Sequence, residues 1–284
     1  MDPVSKFLAA YKIPIGAWGK AFFTFLTDHF NAIFRGFSGG LNFLLDGLVD
    51  ALLVVPPVLL VALIALLACY LQRSKALGIG VALGLLFIIN QGLWKQTVET
   101  LVLVVAAAAM SMAIGVPLGI WAAHKPKVYR VMLPVLDLMQ TLPTFVYLIP
   151  VLTLFGLGNA PGLIVTIIFV IPTAVRLTHL GVVSVPTAII EAGQAFGATK
   201  RQLLWKIELP AALPTIMAGL TQCIMLSLSM VVFAALIGAG GLGTEINREL
   251  GSRKIDLGLE AGLAIVVLAI VLDRMTRIAV GGKK

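Results

Sequence analysis

Charge is what this sequence has least of. Only 12% of its 284 residues are Asp, Glu, Lys or Arg, against 60% hydrophobic, and the mean hydropathy is +1.04. Soluble domains carry about 25% charged and 45–50% apolar residues. Too few charges are present to cover a water-exposed surface, so a soluble globular fold is excluded and a polytopic membrane protein is implied. Cysteine is nearly absent as well. Cys69 and Cys223 lie in apolar runs with no C-x-x-C or metal-ligand spacing, which reads as small packing residues. Also missing are G-x-x-x-x-G-K-[ST], H-E-x-x-H and G-x-S-x-G. The chain therefore brings no Walker-type phosphate cradle, zinc-protease helix or nucleophile elbow of its own. No cofactor or metal site is expected.

The net charge is +8, but the basic residues sit in short links between apolar runs instead of on one face. That distribution fits the positive-inside rule and argues against nucleic acid. Near the N-terminus, Lys6 and Lys12 bracket an apolar stretch too short for a secretory h-region, so these residues are expected to stay in the mature chain.

A hydrocarbon core about 30 Å thick needs roughly 20 apolar residues of helix. Seven runs meet or approach that length: 48–71, 76–93, 98–121, 134–156, 161–181, 212–237 and 259–280. Pro56-Pro57 allows the first to begin late. Loop charges favour residues 1–47 outside and the links 72–75, 122–130 and 182–211 inside, with the C-terminus inside. Residues 1–47 then form an N-terminal tail, and 48–284 the transmembrane domain. In the tail, Trp18, Phe22, Phe25, Leu26, Phe30, Ile33, Phe34 and Phe37 recur at helical spacing with Lys20, Asp28, His29 and Arg35 between them. This suits an amphipathic helix in the membrane interface or one packed on the spans. The pairs Gly80/Gly84, Gly115/Gly119 and Gly158/Gly162 favour close helix approach.

The link 182–211 is too well punctuated to be slack. Pro186 suits a first helical position, Ala188 to Phe196 read as a short helix, and Gly197 fits the left-handed residue that ends it. Thr199 to Gln202 spell a capping box for a second helix, which Pro210 is expected to stop. Physics alone leaves open whether this helix–turn–helix docks a partner.

The same stretch resembles a known pattern. Glu191, Ala192, Gly193, Gly197, Ile207, Leu209, Pro210 and Pro214 match E-A-A-x3-G-x9-I-x-L-P-x3-P, the signature of bacterial ABC importer permeases, with Gly193 where a second Ala is usual. Asp137 to Pro150, Leu154 to Gly158, Val185-Pro186, Ala195 to Thr199, Ile237 to Gly243 and Lys12 to Gly16 look like the branch that imports glycine betaine, proline betaine or choline. The resemblance implies an all-α permease bundle of about seven transmembrane helices in the bacterial inner membrane. It implies a cytoplasmic coupling helix, carried by Glu191, Ala192, Gly193, Gly197, Thr199, Ile207, Leu209 and Pro210. The expected partners are two copies of an ATPase subunit that binds ATP and Mg²⁺, a periplasmic substrate-binding protein, a second copy of the permease, and membrane lipid. No enzymatic chemistry is expected in this chain.

Polar residues inside spans are the candidates for a translocation path, since they usually face protein or water. Gln140, Thr144 and Tyr147 are expected to share one face of the fourth run, and Gln222, Met225, Ser229 and Phe233 one face of the sixth. The bland alternative is interhelical hydrogen bonding. Asp137 is expected to pair with a loop base such as Arg130, and Arg176 and His179 to anchor at the headgroups. Gly238, Gly240 and Gly243 spell G-x-G-x-x-G, but after an apolar span this reads as a flexible or tightly packed turn instead of a dinucleotide site. A secondary transporter is disfavoured, because the acidic residues cluster at span ends and no repeat is evident.

Overall fold

A computed structural model describes residues 14–276, and every described element is helical. In chain order these are α1 (Ile15–Val54), α2 (Pro57–Gln72), α3 (Lys75–Asn90), α4 (Trp94–His124), α5 (Pro126–Thr141), α6 (Thr144–Phe155), α7 (Asn159–Val183), α8 (Thr187–Ala195) and α9 (Lys200–Leu203). A π-helical turn (Leu204–Glu208), α10 (Leu209–Ala235), α11 (Leu242–Ser252) and α12 (Ile255–Thr276) follow. Five helices are long and apolar enough to cross a membrane, or six if the bent pair α5–α6 is one span, while α2 and α3 are shorter apolar helices. The Lys6–Lys12 stretch and the end of the last apolar run lie outside the described residues.

Three of the expected boundaries change. The boundary at residue 47 falls inside α1, a single 40-residue helix that continues to Val54. At 1.5 Å per residue it is about 60 Å long, twice the hydrocarbon thickness. Its first part exposes Trp18, Phe22, Phe25 and Ile33, whereas Leu45 and Val49 are buried with Val98, Val102 and Leu163. Pro56 and Pro57 end the rod, so the first apolar run is split between α1 and α2. The fourth run, expected as one span, is broken between Thr141 and Thr144, with a bend of 95°. Leu142 and Pro143 both leave the helical region, at ψ 133° and 135°, as the residue before a proline tends to do.

The core is built where α7 lies between α4 and α10. Leu103, Val104 and Ala108 of α4 meet Val170 and Ala174 of α7 and Cys223, Ile224, Leu228 and Val231 of α10, all buried. Glycine makes this approach possible. A Cβ on Gly119 would lie 2.7 Å from the Val175 carbonyl oxygen, and one on Gly115 2.4 Å from the Ala174 Cβ. With no hydrophobic drive between helices in lipid, such contact by small residues holds the bundle together. Gly84 and Gly162 are also crowded, but Gly80 faces open space and Gly158 instead supplies a turn with φ +131°. Cys223 is fully buried, 3.9 Å from the Met112 sulfur, and neither cysteine is in a disulfide.

The glycine-rich turn after α10 is packed as expected. Leu242 N–H donates to Thr100 Oγ1 and Gly240 N–H to Asn159 Oδ1, both at 2.8 Å. A Cβ on Gly243 would meet the Val231 carbonyl oxygen at 2.4 Å.

Candidate functional site

The link between α7 and α10 folds from its own local signals. Pro186 is the N-cap of α8, and the helix starts one residue later, at Thr187. At the other end Ala198 N–H donates to Gly193 O (3.0 Å) and Gly197 N–H to Gln194 O (2.9 Å). This paired 6→1 and 5→2 pattern is a Schellman motif, and it needs a left-handed residue at Gly197, whose φ is +76°. The next helix opens with the full capping box. Thr199 N–H donates to Gln202 Oε1 (2.8 Å), and Gln202 N–H to Thr199 Oγ1 (3.3 Å). The turn between the helices is therefore fixed by four backbone donors.

Pro210 does not stop the second helix. The chain runs on as one 36-residue helix from Lys200 to Ala235. The turn Leu204–Glu208 widens to a π-helix, in which Leu209 N–H reaches back to Leu204 O. Pro210, with no N–H to place, falls where that widening removes the need for one. The second helix of the link is thus continuous with a core span.

Packing fastens the unit further. Gly193 faces inward, where a Cβ would lie 2.4 Å from Ile207 Cδ1 and 2.9 Å from Leu203 Cδ2. Leu209 and Ile190 pack on a buried cluster of Val182, Val185, Ala212 and Ile216, beside Val116, Ile120 and Ala123 of α4. His124, at the end of α4, lies 2.8 Å from the buried Glu208 carboxylate. Of the residues expected to couple, Glu191, Ala192, Gly197, Thr199 and Pro210 are at the surface, and Gly193, Ile207 and Leu209 hold the helices together. Sequence reasoning passed over the exposed apolar side chains of the same unit. Phe196 is 93% exposed, with Ile189 and Trp205 exposed beside it in the sequence of the link. A large apolar group standing free on a rigid, capped turn suits docking to another protein. Only an apolar residue within a polar, capped loop could have signalled it.

The residues expected to line a path divide differently. The 95° bend puts Gln140 on α5 and Thr144 and Tyr147 on α6, so they do not form one stripe. Gln140 Nε2 donates to Thr173 Oγ1 of α7 at 2.9 Å, the interhelical bond that was the alternative. Tyr147 is buried with Leu148, Val151, Val165 and Met230. Its hydroxyl donates to the carbonyls of Leu138 and Met139, bracing the broken turn. Thr144 is half-buried at the start of α6. On α10, Gln222, Met225 and Ser229 are exposed along one face and Phe233 is half-buried on it. Phe145, in the first turn of α6, reaches Phe233 edge to face, with ring centres 5.5 Å apart. An amide such as Gln222 left among acyl chains without partners would cost about 2–7 kcal/mol, so this face suits water or protein better than lipid.

Near the other end of α5 and α7, Asp137 pairs with Arg176 instead of Arg130. His179 stacks on Tyr129, with ring centres 3.6 Å apart. Neither Arg176 nor His179 is a simple headgroup anchor. Both tie α5 to α7.

Comparison with known proteins agrees with this architecture. Residues 115–281 match the family described as binding-protein-dependent transport system inner membrane component. The chain is 43% identical over 281 residues to the glycine betaine/proline betaine transport system permease protein ProW of Escherichia coli, covering 99% of this chain and 78% of that one. It is 42% identical over 266 residues to the glycine betaine transport system permease protein OpuAB of Bacillus subtilis, covering 94% of each. Among solved structures, an inward-facing MetNI methionine ABC transporter matches with a TM-score of 0.59 at 24% identity, over 66% of this chain and 95% of that one, a likeness of fold. The family match and these relatives place this chain among the binding-protein-dependent transport system inner membrane components, the permeases of ABC importers.

Proposed function

We propose that the chain is the permease half of an ATP-driven importer for quaternary-ammonium osmoprotectants, glycine betaine or proline betaine foremost. Two copies form the path, one ATPase subunit docks beneath each α8, and a periplasmic binding protein delivers the solute. ATP and Mg²⁺ are held by the ATPase. The N-terminus is periplasmic and the C-terminus cytoplasmic, which puts the basic link 182–211 inside. The printed names of the relatives support the solute.

The observation that carries the coupling role is the continuity of Lys200–Ala235. A force applied to the Schellman turn passes into a core helix without crossing a slack joint. Closing of the ATPases would draw the two levers together and rock the α10 faces, switching access from one side to the other. No bond in the solute is made or broken.

The test is reconstitution with the ATPase and binding protein, followed by ATP-dependent uptake of glycine betaine for wild type and Phe196→Asp. Phe196 is nearly free of contacts, so the variant should fold. Loss of a hot-spot anchor is expected to weaken ATPase binding by about 30-fold, with uptake falling in step. Unchanged ATPase affinity would remove the docking role. Uptake driven by an ion gradient without ATPase would favour a secondary transporter.

A further inference from the structure

We propose that Phe145 and Phe233 form an aromatic constriction in the path and that their ring faces select for a weakly hydrated quaternary ammonium group, an inference that rests on the importer reading above. The two side chains come from elements 88 residues apart, α6 and α10, and meet at 85° with centres 5.5 Å apart. In that geometry the edge of one ring meets a face of the other; Phe233 also packs on the cluster of Tyr147, Met230 and Ile237, so most of the accessible ring surface is that of Phe145. Phe145 is 59% exposed, although its neighbours Tyr147 and Leu148 on α6 are buried. The difference follows the two faces of α6, since Val146 and Ile149 are exposed with Phe145. The bend at Leu142–Pro143 sets where that exposed face lies. It turns the first residues of α6 away from α5 and brings Phe145 to the α10 face that carries Gln222, Met225 and Ser229.

The surroundings decide what such a pair can recognise. No Asp, Glu, Lys, Arg or His occurs between Asp137 and Arg176 or between Glu208 and Glu245. The wall therefore offers a cation no counter-charge. A metal ion or primary ammonium would have to shed tightly held water against uncharged groups, which is unfavourable. A trimethylammonium group has no N–H, spreads its charge over its methyls, and holds water weakly. Ring faces attract it through their quadrupole. Attraction without a carboxylate also allows release, as a path must.

The experiment compares Phe145→Leu, which keeps apolar bulk and removes the ring, with Phe145→Trp, which keeps a ring. Each variant is assembled with its ATPase and binding protein in proteoliposomes, checked for intact assembly by size exclusion, and assayed for glycine betaine uptake and ATP hydrolysis. Phe145→Leu should lower uptake by about tenfold, and Phe145→Trp by no more than about twofold. ATP hydrolysed per betaine should rise in the leucine variant, because the ATPases still cycle. Phe233→Leu should repeat the leucine result. Wild-type uptake in Phe145→Leu, or an equal fall in the leucine and tryptophan variants, would overturn the proposal. Failure of Phe145→Leu to assemble would assign the ring to packing and overturn it too. Wild-type complex with no ATP-dependent betaine uptake would sink the importer reading itself, a result distinct from these.

Discussion

Two proline-marked regions, Leu204–Pro210 and Leu142–Thr144, have opposite fates. The first was expected to end a helix and instead lies inside one. The second was expected to lie within a span and instead bends it by 95°. Leu209, before Pro210, stays helical at ψ −46°, whereas Leu142, before Pro143, is extended at ψ 133°. What differs is how the lost hydrogen bonds are replaced. Upstream of Pro210 the turn widens, Leu209 N–H finds Leu204 O, and packing on the Val182–Ile216 cluster holds the helix in line. At Pro143 the carbonyl of Met139, which loses its donor to the proline, accepts from the Tyr147 hydroxyl, while the Leu138 carbonyl keeps the Leu142 N–H and is reached by the same hydroxyl. One region becomes a stiff lever, and the other a corner that sets where Phe145 lies.

The largest expected effect comes from undoing the corner. In the double variant Pro143→Ala with Tyr147→Phe, both the proline and the hydroxyl brace are gone, and alanine is the best helix former. Spin labels at the exposed positions Val131 and Ile149 should move from about 19 Å apart, the separation two helical arms at a right angle give, toward the about 27 Å of a straight helix. Uptake should be abolished while the complex still assembles. A distance that stays short would show that the surrounding helices, not the local brace, make the bend.

Straightening the lever should do less. Pro210→Ala restores an N–H for the Lys206 carbonyl, and the π turn should tighten to an α turn. Thermal stability of the assembled complex should not fall. Uptake per ATP should drop, because the tightened turn rotates α9 against α10 and pulls Glu208 from His124. Full coupling in this variant would mean the π turn is incidental to force transmission. The smallest effect belongs to the cap. Thr199→Ala removes the side-chain half of the capping box, worth about 1 kcal/mol, so amide exchange in Lys200–Leu203 should quicken about fivefold with uptake nearly unchanged. Unaltered exchange would show that continuity with α10, not the cap, orders α9.

Legibility in the sequence followed the range of the physics involved. The Schellman turn at Gly197 and the capping box at Thr199 were readable because each is completed by residues within five positions. The crowding at Gly115 and Gly119 was suggested by spacing, although the same spacing at Gly80 met open space. Gln140 was ambiguous because a buried amide serves equally as glue or lining, and only the position of Thr173 settled it. Tyr147 misled for the same reason. Its polarity suggested a path, yet its hydroxyl closes a break a few residues upstream. Phe145 carried no signal, since a phenylalanine in an apolar run looks like core.

By itself the sequence determined that this chain lives in a membrane, that its spans are helices, and that the link 182–211 is a capped helical pair. Run length, charge scarcity and local capping fix those features whatever else the chain does. The tertiary structure alone decided that residues 15–54, spanning part of the tail and the start of the first run, form one 40-residue helix, that Pro210 is passed and Pro143 is not, and that Phe145 meets Phe233. A proline only removes a donor. Whether the chain bends depends on which distant groups take up the freed acceptors and which helices press from the side.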